Sequence, residues 1–148
     1  TKKITRAVAR ISRCLQSELF LGNLDARRDW GYAPEYVVAM WKMLQTNQAD
    51  DFVVGSGTDI SVRDFVQMSF QHVGLDWEKF VRFDERYLRP TEVDTLVGDA
   101  SKAEKALGWK ATVDPAQLAG LMVDHDIATL EGYISDKPVG SVWAEAIS

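Results

Sequence analysis

The sequence predicts an α/β fold that is mainly helical, with two or three short strands. Three observations lead there. Four or five stretches carry apolar residues at helical spacing. The strand-like runs are only three to five residues long. Finally, hydrophobic residues make up 46% of 148 residues, enough to bury one core of ordinary size.

Ile4, Ala7, Val8, Ile11 and Leu15 follow helical spacing, so residues 2–16 read as an amphipathic helix. Leu19–Asn23 is a short apolar run ending in Gly-Asn and reads as a strand. Asp25–Gly31 reads as a charged turn around Trp30. Pro34 suits the first turn of a helix, and Val37, Met40, Trp41 and Leu44 mark its inward face to about residue 46. Phe52–Val54 reads as a strand that ends in a glycine turn. Ser61 is a good helix cap with Asp64 three residues on, and Val62, Phe65, Val66 and Val73 face inward. Phe80–Phe83 reads as another strand and residues 84–98 as irregular. Asp99 is expected to cap a short helix that stops at Gly108, with Trp109 packing back on it. Asp114-Pro115 opens the last helix, with Leu118, Leu121 and Met122 inward. After Gly132 the pattern fades. The expected organisation is one unit over residues 1–132 and an irregular tail over 133–148. So few strands imply exposed sheet edges that pair with a larger sheet or with a partner chain, and hence a homo-oligomer.

Composition excludes several classes. No apolar run approaches a membrane span. The single cysteine, Cys14, cannot form an intrachain disulfide, fits a reducing cytoplasm, and reads as a small buried hydrophobe. His72 and His125 are far apart and no Cys/His cluster accompanies them, so a metal site is not expected; His125 reads as a core or rim histidine. The net charge of −5 hides a basic start: residues 1–30 hold seven basic and three acidic side chains. An acidic protein with a local basic site binds nucleic acid poorly but can hold a small polyanion. The competing reading of Arg6, Arg10 and Arg13 is a solvated helix face.

Two motif-like stretches are set aside. Gly55-Ser56-Gly57 imitates half of a dinucleotide fingerprint, but position 60 is isoleucine and the helix cap comes only at Ser61. Tyr133 and Lys137 have the spacing of a catalytic pair, yet they sit between Gly132 and Pro138, where a helix ends. Trp30, Trp41, Trp77 and Trp109 read as core residues.

Three segments carry the remaining information. They are Thr1–Ala7, Leu21–Ala33 with its Arg27-Arg28-Asp29-Trp30-Gly31, and Tyr87–Asp94 with its Arg89-Pro90-Thr91-Glu92, the last followed by Gly98–Ala103 and Leu107-Gly108-Trp109-Lys110. In this order they resemble the C-terminal part of GDP-mannose 4,6-dehydratases, from residue 1 to about residue 131. The resemblance implies the sugar-nucleotide-binding part of an extended short-chain dehydrogenase fold, without its N-terminal Rossmann half. It implies GDP-mannose as ligand, NADP as the parent enzyme's cofactor, and the Rossmann half as a partner. The family's glycine fingerprint and its catalytic residues would precede residue 1.

The resemblance also places Lys3, Leu21, Gly22, Asn23, Arg28, Arg89 and Glu92 at or near a GDP-mannose site. Their chemistry suits it. Two guanidinium forks can clamp a pyrophosphate, Glu92 can accept from ribose hydroxyls, and the Leu21-Gly22 backbone allows close approach of a flat base. The competing readings are a surface ion pair of Arg28 with Asp29 or Asp25, and of Arg89 with Glu92. A related nucleotide-sugar epimerase or reductase, and a non-catalytic module that binds a nucleotide or partner, are the alternative functions.

Overall fold

The computed structural model describes residues 1–88 and 96–132. Arg89, Glu92, the Tyr133/Lys137 pair and the expected tail lie outside these. Along the chain come α1 (Lys2–Ser12), β1 (Leu19–Leu21), β2 (Arg27–Asp29), α2 (Ala33–Met43), β3 (Asp59–Ser61) and α3 (Val62–His72). A 3-10 turn (Trp77–Lys79), β4 (Val81–Phe83), a second 3-10 turn (Glu85–Tyr87), α4 (Ser101–Leu107) and α5 (Pro115–Leu130) follow.

The core lies where α1, α3 and α5 pack together. Ile4, Val8 and Ile11 of α1 meet Phe65, Val66 and Phe70 of α3 and Leu118, Ala119 and Val123 of α5. Each fully buried aliphatic or aromatic side chain contributes about 1.5–3 kcal/mol. Leu19 and Leu21 alternate inward from β1 and extend this core to the strands. A polar cluster sits at the edge of this core: buried Asp126 of α5 accepts from the Thr5 hydroxyl at 2.7 Å and from the exposed Lys2 Nζ at 2.5 Å, which joins α5 to the first turn of α1. A smaller core holds α2 and α4 together through Ala39, Ala103 and Trp109, and Trp109 Nε1 donates to the Glu35 carbonyl at 2.8 Å.

The described strands pair two by two, in two separate sheets. β1 runs parallel to β4, with Leu21 opposite Phe83. β2 runs antiparallel to β3, with Arg28 opposite Ile60. Such two-stranded pieces are marginal by themselves, and the helices behind them supply the burial.

Several local signals act as read. Ser61 and Asp64 form a reciprocal capping box on α3, and Asp114 and Gln117 form one on α5. Gly108 ends α4 in the left-handed region at φ 58°.

Other expectations are corrected. The first helix ends at Ser12, not residue 16. Cys14 adopts φ 56°, its N–H reaches the Ile11 carbonyl, and the Leu15 N–H reaches back to Arg10, a Schellman closure. Cys14 is consequently exposed, not buried. Arg27–Asp29 is a strand, not a turn, because β3 pairs with it. Phe52–Val54 is loop, with no strand partner among the described residues.

The faces of two helices also differ. Met40 and Trp41 of α2 and Leu44 just after it are 56%, 42% and 82% exposed, because the helix docks through Ala39 onto Ala103 and Trp109. On α5, Leu121 is exposed while Ala119, Val123 and Asp126 are buried, because α5 is wedged between α1 and α3. His125 is exposed as well, one position before the buried Asp126.

Candidate functional site

A cleft of about 460 Å³ opens where the start of α1, the end of β1 and β2 converge. Lys3, Leu21, Gly22, Asn23 and Arg28 all border it, joined by Thr1, Ile4, Ala26, Trp30, Val62 and Tyr87. Its size lies in the range of small-molecule sites.

Each side chain reaches the cleft for a local reason. Lys3 stands on the first turn of α1. Its ammonium donates to the Phe20 carbonyl at 2.6 Å and lies 3.3 Å from the centroid of the Tyr87 ring. Leu21 closes β1, with its side chain buried and its carbonyl accepting the Asp84 N–H at 2.9 Å. Gly22 follows, and a Cβ there would lie 2.5 Å from the Tyr87 carbonyl oxygen. The bare backbone of Gly22 therefore already serves the close approach of the 3-10 turn. Asn23 folds back on itself, its Oδ1 accepting the Asp25 N–H at 2.9 Å.

Arg27 and Arg28 are adjacent on a strand, so they point to opposite faces. Arg27 is held by Asp59 at 2.6 Å on the outer face. Arg28 is half-buried and lines the cleft. The two acids nearest Arg28 in sequence have contacts elsewhere. Asp25 pairs with Arg63 at 2.9 Å, and Asp29 is turned toward Ser56, Gly57 and Gly98. Trp30 sets its ring edge against Phe65 at 5.2 Å and presents part of itself to the cleft.

The turn before residue 89 is fixed by Asp84. Its carboxylate accepts the Arg86 N–H at 3.0 Å and the Arg86 guanidinium at 2.6 Å. The hydrogen bond from the Arg86 side chain, then that from its backbone, hold the Asp84 carboxyl below its ordinary pKa, with help from nearby Lys3. Tyr87 then turns its ring under Lys3, two residues before Arg89 in sequence.

Residue by residue, five of the seven sequence-derived site residues share this cleft, and Arg89 and Glu92 lie outside the described residues. Trp30 and Tyr87 are cleft walls that sequence reasoning missed. Both had a signal, since Tyr87 opens the third family-like segment and Trp30 lies within the second; Trp30 also packs against the core, as read. The Gly55-Ser56-Gly57 turn is a poor phosphate cradle, because the Ser56 and Gly57 amides already donate to Asp29. A second cleft, of about 560 Å³ and lined by Lys2, Arg6 and Arg10, shares Lys3 and Tyr87 with the first.

Comparison with known proteins identifies the family. A family model described as GDP-mannose 4,6 dehydratase matches residues 1–122. GDP-mannose 4,6 dehydratase 1 of Arabidopsis thaliana is 54% identical over 127 residues, which cover 86% of this chain and 35% of that protein. The human GDP-mannose 4,6 dehydratase is 44% identical, over 86% of this chain and 39% of its own length. The chain thus spans well under half of these curated relatives. Among solved structures, that of RMD from Pseudomonas aeruginosa complexed with NADPH superposes with a TM-score of 0.77 at 20% identity, covering 86% of this chain and 42% of that one. A dTDP-glucose 4,6-dehydratase from Bacillus anthracis in complex with NAD superposes with a TM-score of 0.68 at 14% identity, over 82% of this chain and 37% of that one. The fold is thus that of a part of the extended short-chain dehydrogenases, and the chain belongs to the GDP-mannose 4,6-dehydratase family.

Proposed function

We propose that this chain is the GDP-mannose-binding part of a GDP-mannose 4,6-dehydratase. The whole protein is then an NADP-dependent lyase that converts GDP-mannose to GDP-4-keto-6-deoxymannose, the precursor of GDP-fucose and GDP-rhamnose. The observation that carries this reading is the convergence of Lys3, Leu21–Asn23 and Arg28, from three separate elements, on one cleft of about 460 Å³.

The chemistry of that lining suits a nucleoside diphosphate sugar. The Arg28 guanidinium offers a planar fork for pyrophosphate oxygens, worth roughly 1.5–3 kcal/mol per charge-assisted contact. By the family resemblance, Arg89 supplies a second fork and Glu92 an acceptor for ribose hydroxyls. Lys3 adds positive charge at the α1 side of the cleft. Trp30 and Tyr87 give flat apolar surface beside these cations.

NADP, held mainly by the part of the family fold that precedes the matched stretch, supplies the hydride acceptor when bound. The residues of this chain bind and orient the sugar nucleotide rather than move protons, so the isolated chain should not turn over substrate. The whole enzyme is read as a cytoplasmic homo-oligomer.

Calorimetric titration of the full-length protein with GDP-mannose and with UDP-glucose tests the reading. Tight binding of GDP-mannose and weak binding of UDP-glucose is expected. Preference for UDP-glucose would transfer the chain to an epimerase role, and binding of neither would remove a nucleotide-sugar function.

A further inference from the structure

The cleft of about 460 Å³ and the larger basic cleft beside it have two lining residues in common, Lys3 and Tyr87. This pair is therefore the wall between them. Its geometry is that of a seat for a cation. The Lys3 ammonium lies 3.3 Å from the centroid of the Tyr87 ring and donates to the Phe20 carbonyl at 2.6 Å. Three elements meet at that one nitrogen: the first turn of α1, β1, and the second 3-10 turn.

A lysine needs such a seat if its charge is to have a fixed position. Its four-carbon stem is flexible and gives up rotamer freedom when held. The ammonium carries three N–H donors. The Phe20 carbonyl takes one, and the negative face of the Tyr87 ring attracts the charge from another side. Lys3 stays exposed in spite of both contacts, so donor capacity remains for a ligand in the cleft. Arg6 and Arg10 line the far side of the wall. Their like charge disfavours an ammonium at this place, and the ring face and the carbonyl offset it.

Tyr87 is fixed by its backbone, not by burial of its ring, which is 50% exposed. Its N–H donates to the Asp84 carbonyl at 3.1 Å, and the Asp84 N–H donates to the Leu21 carbonyl at 2.9 Å. The Tyr87 carbonyl is wedged on Gly22. Both supports come from the end of β1, which also lines the cleft. A ring held in this way and left half exposed is not explained by core packing.

We infer that Tyr87 is a positioning residue of the cleft: its ring face holds the Lys3 ammonium at the wall of the cavity that Arg28 also lines, so that both cations serve one anionic ligand. This rests on the GDP-mannose reading above. The contact is made by the ring face, so the ring and not the hydroxyl is the working part.

The test uses the full-length enzyme with NADP bound. Tyr87→Leu should weaken GDP-mannose binding by about three- to tenfold while NADP affinity stays unchanged. Tyr87→Phe, which keeps the ring face, should bind within about twofold of the parent. In a Lys3→Met background, itself weakened, Tyr87→Leu should cost less than about twofold further, because the cation it seats is already gone. Tyr87→Met serves in the same comparisons if Tyr87→Leu does not fold. The inference is overturned if the folded Tyr87→Leu or Lys3→Met protein binds GDP-mannose as the parent does, or if Tyr87→Phe loses as much as Tyr87→Leu. It is also overturned if the losses of Tyr87→Leu and Lys3→Met simply multiply, which would mark a ring that acts independently of Lys3. Failure of the unaltered enzyme to bind GDP-mannose would instead overturn the functional reading, and this inference with it.

Discussion

The Tyr87 carbonyl rests directly on the backbone of Gly22, where a Cβ would come within 2.5 Å of its oxygen and 3.0 Å of the Leu88 nitrogen. The contact is backbone against backbone, so no flexible side chain can yield. It joins the end of β1 to the turn that leads into Arg89, and Lys3 over the Tyr87 ring closes the same corner.

Gly22→Ala should therefore destabilise the fold by about 1–3 kcal/mol, the usual cost of forced overpacking. It should also weaken GDP-mannose binding in the full-length protein, because the turn and Lys3 are displaced together. Urea denaturation and calorimetry check both parts. An unchanged unfolding midpoint would show that the corner is looser than its geometry.

Cys14 provides a second, opposite test. It is a non-glycine residue held at φ 56° to close α1, and it is exposed. The left-handed region costs an ordinary L-residue about 1 kcal/mol, and glycine avoids that cost at the residue after a helix cap. Cys14→Gly should stabilise the protein by about 0.5–1 kcal/mol, whereas Cys14→Ala should not. Chemical denaturation of the two variants side by side distinguishes relief of strain from loss of the thiol.

These positions also show what the sequence makes legible. Capping boxes and glycine stops are written in local chemistry, and Ser61/Asp64, Asp114 and Gly108 are readable without knowledge of the rest of the fold. The strand Arg27–Asp29 is not readable, because a fully charged triplet carries no apolar alternation; its pairing with Asp59–Ser61 is a tertiary event. The apolar stripe of α2 is visible, but which side is covered depends on Trp109, about seventy residues away. In the cleft, only family resemblance points to Lys3, Leu21–Asn23 and Arg28, since no spacing rule links residues 3, 22 and 28. Trp30 and Tyr87 escaped because an aromatic beside a cleft and one in a core look alike in sequence.

Acid stability should follow the carboxylates that accept hydrogen bonds. Asp29, Asp64 and Asp84 all have pKa values lowered from an ordinary 3.8. For Asp64 the Ser61 side chain and backbone donors are the leading causes. A carboxyl lowered on folding contributes stability that is fully present above its unfolded pKa and lost as pH falls through its folded one. Stability should hardly change from neutral pH to about 5 and should fall below about 4. Asp29→Asn should be less stable at neutral pH and should show a shallower acid slope. Thermal unfolding followed from pH 7 to pH 3 measures this. An equal slope in variant and parent would mean that Asp29 does not contribute to the acid transition.

The last prediction concerns the two arginines. If Arg28 and Arg89 grip a pyrophosphate from opposite sides, alanine at either position should weaken GDP-mannose binding by roughly tenfold or more. Lysine should restore only part of the loss, because it keeps the charge but not the two-pronged geometry. NADP affinity should stay constant, since the cofactor is read as bound mainly by the preceding part of the family fold. Raised salt should weaken binding by the parent more than by either alanine variant, because fewer charged contacts remain to be screened. A surface role makes different demands: unchanged GDP-mannose affinity with a stability change of at most about 1 kcal/mol. Titration of the parent, both alanine variants and both lysine variants with GDP-mannose decides the matter. Full affinity in folded Arg28→Ala and Arg89→Ala proteins would leave the cleft without its anion-binding role.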